Sequence, residues 1–271
     1  MKIFAIRDEL DPQSVDLAYL IYYEGEKRFY IELPEDADPW ETPLLLSSFA
    51  KRGERTVNAY WSKLWVQQRI VPSDRQNLGQ ILRDNGLSEY DEYELLMLGM
   101  GRCAQDDYYL VPMAESDMPI ILIDRFQKKV EDVVPLTDKH LLVFFRNGVV
   151  RKCDVQELLK KEAAFSPLLV NDALYNTVSV QAGGYGVCWG DNLNLADDQL
   201  YENGEVVPLS LDDFRSFVKN RIVNTAEAAE LLECSRQNIE DLIRRNKLHP
   251  IKATPKNKLF LKNEITQRKW R

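Results

Sequence analysis

Histidine and cysteine are scarce in this chain, and their placement excludes more than their number does. His140 lies between a turn and an apolar stretch and His249 beside Pro250, so a Ser/His/Asp, Cys/His or poly-histidine metal site would have to use one of these two. Cys103, Cys153, Cys188 and Cys234 are at least 35 positions apart with no CxxC, which excludes zinc-ligand spacing and points to reduced, mostly buried thiols. No apolar run approaches the ~18 residues of a membrane span. The longest, Ile120–Ile123 and Leu141–Phe145, are strand-sized. The opening MKIFAIRDELD meets Arg7 and Asp8 too early for a signal-peptide core. A cytoplasmic, non-membrane location follows as the expectation. The expectation is also of a non-enzyme without cofactor or metal.

What is present fills cores. Hydrophobic residues make up 45% of 271 positions, too many for a disordered chain and enough for two or three domains. The charge is unevenly spread. The formal net charge is -8, yet residues 214–271 hold 14 Lys and Arg against six Asp and Glu, a local +8 that leaves -16 on the other 213 residues. An acidic chain thus ends in a segment with the charge of a nucleic-acid binder.

Three segments follow from periodicity, giving an α+β fold class. Residues 1–118 form an N-terminal α+β domain. Lys2–Ile6, Leu17–Tyr23 and Arg28–Leu33 read as strands, the last two joined at Glu24-Gly25-Glu26. Pro43–Arg52, Val57–Ile70, Asn77–Asn85 and Tyr93–Leu98 read as helices, and Asp107–Val111 as a closing strand. Residues 121–207 form a small β-hairpin and helix domain. Val130–Pro135 is a strand, and His140–Phe145 and Val149–Cys153 pair across Asn147-Gly148, a dipeptide that tolerates positive φ. Asp154, with Glu157 three residues on, is expected to cap a helix that Pro167 stops. Thr177–Gln181 and Val187–Trp189 read as a second hairpin around Gly183, Gly184 and Gly186.

The stretch from Val130 through the Asn147-Gly148 turn, Asp154 and the Gly186, Trp189, Leu195, Leu200, Tyr201 run resembles the domain of unknown function 2442 family over residues 125–205. That resemblance implies a small α+β domain, found alone or beside a DNA-binding helix-turn-helix, sometimes in gene pairs that look like toxin and antitoxin. It supplies no catalytic residues.

Residues 210–271 carry the clearest functional pattern. Ser210 and Asp213 have capping-box spacing for a connecting helix to about Asn220. In VNTAEAAELLECSRQNIEDLIRRNKL, Thr225 is expected to cap a first helix whose Ala228 and Ala229 permit a close crossing. Ser235 is expected to cap a second helix, buried through Ile239, Leu242 and Ile243. This spacing makes a helix-turn-helix, which turns Ser235, Arg236, Gln237 and Asn238 toward the major groove, with Arg236 and Gln237 for base readout. Arg244 and Arg245 close the same helix. Pro250–Ala253 and Leu259–Leu261 read as a wing hairpin carrying Lys252, Lys256 and Lys258 to phosphates, and Asn263 begins a last helix. Residues 222–267 resemble the excisionase-type, MerR-like winged helix-turn-helix family. One position departs: Glu233 stands where the turn usually has Gly, and must take a left-handed backbone.

Other clusters have blander readings. Asp106-Asp107 suggests a metal or acid/base pair, but reads better as a polar turn before a strand. The glycines of AGGYGVCW precede a strand and lack the Gly-Lys-Ser/Thr of a phosphate loop, so they read as a hairpin turn. Tyr22, Tyr23, Tyr30, Trp61 and Trp65 read as core rather than ligand pocket. Residues 75–110 resemble the N-terminal subdomain of HipA-type toxin kinases. No kinase body follows, so this implies at most a shared scaffold.

The resulting expectation is a regulator of transcription, or of phage or mobile-element type, that binds double-stranded DNA through residues 210–271. The alternative is an antitoxin-like or adaptor protein whose acidic α+β region, residues 1–207, binds a protein partner or itself.

Overall fold

A computed structural model describes residues 1–11, 13, 15–190 and 193–268. They divide into two compact units, Met1–Asn147 with Arg151–Glu205, and Gly148–Val150 with Val206–Arg271.

In the first unit, β1 (Lys2–Asp8), β2 (Ala18–Tyr23), β3 (Arg28–Glu32), β4 (Thr56–Val57) and β5 (Tyr108–Met113) form an antiparallel sheet in the order β4-β3-β2-β1-β5. Successive side chains point to opposite faces of a strand. Here both faces are covered, which is why these strands read as continuous apolar runs. Phe4, Ile6, Leu20, Phe29 and Ile31 meet Leu46 and Phe49 of α1 (Leu44–Arg52), Trp65 of α2 (Ala59–Gln67) and Leu96 of a later helix. After α3 (Leu78–Asp84), that later helix is α4 (Glu92–Gly99), capped by the Asp91 carboxylate. Ala5, Tyr19, Ile21 and Tyr30 meet Leu122 and Phe126 of α5 (Ile120–Gln127) and Tyr185.

Two boundaries differ from the sequence reading here. Val57 is in strand β4 opposite Ile31, and Asn58 caps α2 by accepting from the Trp61 N–H, so the helix begins at Ala59. The strand-sized run Ile120–Ile123 is the start of α5. A short apolar run does not reveal its own period, and Leu122 with Phe126, four apart, forms one buried helical stripe.

Next come β6 (Val130–Pro135), β7 (His140–Phe145) and β8 (Val150–Asp154), then α6 (Gln156–Lys161), α7 (Ser166–Val170) and α8 (Asp172–Tyr175). β9 (Ser179–Val180), β10 (Gly186–Trp189) and β11 (Leu193–Ala196) make an antiparallel sheet, followed by α9 (Asp197–Asn203) and β12 (Glu205–Val207). Val143, Phe145, Leu159, Tyr175, Val187, Trp189 and Leu200 share one core. Asp154 accepts from Gln156 N, but fully buried Val155 holds the cap position and Glu157 pairs instead with Lys160. Pro167 does not stop this helix. It stands in the first turn of α7, where its missing N–H costs nothing. The glycine run is a close-packing device. A Cβ at Gly184 would lie 2.3 Å from the Val130 carbonyl oxygen, and one at Gly186 2.0 Å from that of Leu195.

A buried ionic knot ties these two halves of the first unit. Glu32, fully buried at the end of β3, accepts from Arg125 Nη1 at 3.1 Å and Thr56 Oγ1 at 3.0 Å. Lys129 Nζ lies 3.3 Å from Glu32 and 3.1 Å from Asp197 at the start of α9. Tyr185 stacks on Tyr30 with centroids 3.7 Å apart, and Lys129 Nζ sits 3.8 Å from the Tyr185 ring centroid.

The second unit contains α10 (Leu211–Arg221), β13 (Ile222–Asn224), α11 (Thr225–Leu231), α12 (Arg236–Arg244), β14 (Lys252–Ala253), β15 (Lys258–Leu261) and α13 (Lys262–Gln267). The Ser210/Asp213 capping box opens α10 as expected. The strands lie in the order β13-β15-β14, and Val223, Ala228, Ala229, Ile239, Leu248, Phe260 and Ile265 form the core.

Candidate nucleic-acid interface

The first helix of the basic segment is capped one residue earlier than expected. Asn224, not Thr225, accepts from the N–H groups of Ala226 (2.8 Å) and Glu227 (3.0 Å), and Glu227 returns a carboxylate oxygen to the Asn224 N–H at 2.8 Å. Asn is as good a cap as any residue, and Glu stands three positions later only when Asn224 is the cap. Thr225 is therefore the first helical residue, half-buried.

Beyond α11 the chain reverses in four residues, Leu232 to Ser235. Cys234 N donates to Ala229 O at 2.9 Å, and Glu233 takes φ +53°, the left-handed conformation its position demanded. That conformation disfavours a residue with a Cβ by roughly 1 kcal/mol. Glu233→Gly should therefore stabilise the second unit by about 1 kcal/mol, less the extra chain entropy of glycine when unfolded. Urea denaturation of the two proteins compares them, and a lower midpoint for the glycine variant would contradict the turn geometry.

Ser235 caps α12, its Oγ accepting from Asn238 N at 3.2 Å. The cap fixes the first turn of α12 with Arg236, Gln237 and Asn238 exposed on it. Ile239 is fully buried against Ala228 and Ala229, which have no bulk to hold the two helices apart. Arg244 and Arg245 are exposed at the far end, Arg244 paired with Asp241. On the hairpin, Lys252 and Lys256 are exposed and carry no ion pair among the described residues. Lys258 differs: its Nζ is bonded to Glu240 of α12, which brings hairpin and helix together on one surface. Thr254 and Asn257 close the hairpin turn, Thr254 N donating to Asn257 O at 2.8 Å.

The sequence reading passed over Glu240 and Asp241. The three-residue spacing of Asp241 and Arg244 signals a helical ion pair. Glu240 to Lys258 crosses from helix to strand and had no such signal.

The other clusters are occupied structurally. Asp106 accepts from the buried Arg69 guanidinium at 2.5 Å, and that guanidinium stacks 3.7 Å over Trp65. Among the described residues no group of three His, Cys, Asp or Glu could hold a metal ion. Trp65, Tyr22 and Tyr30 are core residues, whereas Trp61 is partly exposed. The four cysteines are free thiols, of which only Cys153 is buried. Its Sγ donates to Leu200 O, and burial pushes the thiol up to about 11. No helix among the described residues is long and apolar enough to cross a membrane.

Residues 130–205 match the family model described as "Protein of unknown function (DUF2442)", within the span read from the sequence. Among solved structures, a "Putative DNA Binding Protein" from Nitrosomonas europaea is similar at 24% identity over 45% of this chain and 79% of that one, with a TM-score of 0.26. No curated protein matches the chain.

Proposed function

We propose that the chain is a non-enzymatic DNA-binding regulator in which residues 210–271 act as a winged helix-turn-helix on duplex DNA. The observation that carries this reading is the exposed first turn of α12, with Arg236, Gln237 and Asn238, on a helix that Lys258 ties to a hairpin bearing the exposed Lys252 and Lys256. Arg pairs with guanine and Gln or Asn with adenine, while ammonium groups meet phosphates whatever the sequence. Arg244 and Arg245 extend the positive edge.

Titration of the full chain onto labelled duplexes over a range of salt tests it. Each phosphate contact contributes about 0.9 to the slope of log affinity against log salt. Lys256→Ala should weaken every duplex alike and lower that slope by about one, whereas Arg236→Ala should flatten sequence preference with a smaller change in slope. No binding to any duplex at low salt would dispose of the reading.

A second reading has its own support in the first unit. Trp40 is 86% exposed, Leu44 90% and Tyr60 70%, large apolar side chains of the kind that anchor protein interfaces. On this reading the acidic region docks a protein partner. Trp40→Ala and Tyr60→Ala should release a partner that co-purifies stoichiometrically from the native host.

A further inference from the structure

A surface that meets a polyanion should shed carboxylates, yet the exposed side of α12 holds two. Asp241 is taken up by Arg244 on its own helix. Glu240 reaches off the helix to β15. Its Oε2 accepts from Lys258, its Oε1 has no hydrogen bond among the described residues, and its side chain is 49% exposed. One oxygen is anchored and the other is open. Glu240 also stands three and four residues after Gln237 and Arg236, on the neighbouring turn of the same helix side, because residues at these spacings adjoin on a helix.

A carboxylate only accepts hydrogen bonds. Phosphates, guanine N7 and O6, and thymine O4 are acceptors as well, so each is rejected. The donors exposed in the major groove are the amino groups of cytosine and adenine, and cytosine presents its amino group without the neighbouring N7 acceptor of adenine. One helical turn rises about 5.4 Å against about 3.4 Å per base pair, so a residue one turn on meets a base pair one or two steps further along.

We infer that Glu240 is a specificity-determining residue that accepts from a cytosine amino group, one or two base pairs beyond the bases met by Arg236 and Gln237. Lys258 is its positioning residue. The inference rests on the DNA-binding reading above and adds a base preference to it. It also changes the role of Lys258, which holds a carboxylate in place while Lys252 and Lys256 remain for phosphate. Discrimination here comes as much from repulsion of wrong bases as from attraction to the right one.

The test is selection of duplexes from a randomised library by the full chain, followed by titration of single-base variants of the selected site. The wild type should require cytosine at one position, with a loss of roughly tenfold or more on replacing it. Glu240→Gln should turn that position to adenine or to indifference and raise affinity for random duplex. Lys258→Met should loosen the cytosine preference, because the carboxylate is no longer held in place, and should weaken binding to all sequences, because that carboxylate is left without its cation. Identical selected sites for wild type and Glu240→Gln would overturn the inference. So would a cytosine preference unchanged in Lys258→Met, which would leave Lys258 no positioning role and make the pair only a brace between helix and hairpin. Wild-type binding with no cytosine position removes this inference alone, whereas no binding to any duplex at low salt removes the DNA-binding reading and this with it.

Discussion

Lys129→Met should cost the first unit about 3–5 kcal/mol at neutral pH, the range for removing one partner of a buried ion pair. Methionine retains most of the apolar stem, so the loss reports the charge. Lys129 is 2% exposed and serves two carboxylates, Glu32 at 0% and Asp197 at 11% side-chain exposure. Without the ammonium both remain buried, with only Arg125 and Thr56 left on Glu32. A unit of this size loses about 2–4 °C of melting temperature per kcal/mol.

The pH dependence gives the prediction a sign. Burial pushes the Asp197 carboxyl up from its usual range, against the opposing pull of Lys129. A carboxyl whose folded pKa lies above its unfolded one binds a proton more tightly when folded, so its contribution is favourable at low pH and is lost as pH rises through the folded pKa. Removing Lys129 takes away the pull that kept this shift in check. The deficit of Lys129→Met should therefore be largest at pH 7 and shrink toward pH 4. Urea denaturation at both values measures it, and a deficit independent of pH would mean that the carboxylates are reached by water.

How legible this was in the sequence depended on the range of the interaction. Lys2–Ile6, Leu17–Tyr23 and Arg28–Leu33 were readable as strands because β-branched and aromatic residues concentrate in them. The Ser210/Asp213 and Ser235 caps were readable because a cap bonds three residues away. The left-handed Glu233 followed from the resemblance to the winged helix-turn-helix family, whose turn usually has Gly at this position. Thr225 was misplaced because Asn and Thr are both good caps in adjacent positions, and the partner Glu227 decides between them. Nothing local marked Glu32, Lys129 and Asp197 as a set, since 97 positions separate the first two and another 68 the last. The same holds for Glu240 with Lys258. Residue type announced the exposed Arg236 and Gln237, but only the fold showed which of the lysines is already engaged.

On the proposal that residues 210–271 bind duplex DNA, Phe260→Ala should abolish that binding at 37 °C. Phe260 is fully buried on β15 opposite Val223, in the core that also holds Ala228, Ala229 and Ile239. Its truncation should cost about 3–5 kcal/mol. At roughly 0.05–0.15 kcal/mol per residue, a unit of this length has only about 3–10 kcal/mol to lose. The residue also holds the strand that carries Lys258 beside the helix that carries Arg236, so loss of the core and loss of the surface are one event. Tryptophan emission separates this from general unfolding, because four of the five tryptophans, Trp40, Trp61, Trp65 and Trp189, belong to the first unit and dominate the signal. Their unfolding transition should persist in Phe260→Ala while binding is gone. Retained affinity at 37 °C would show that the charge of the segment binds DNA without its fold, and base readout through α12 would then have no basis.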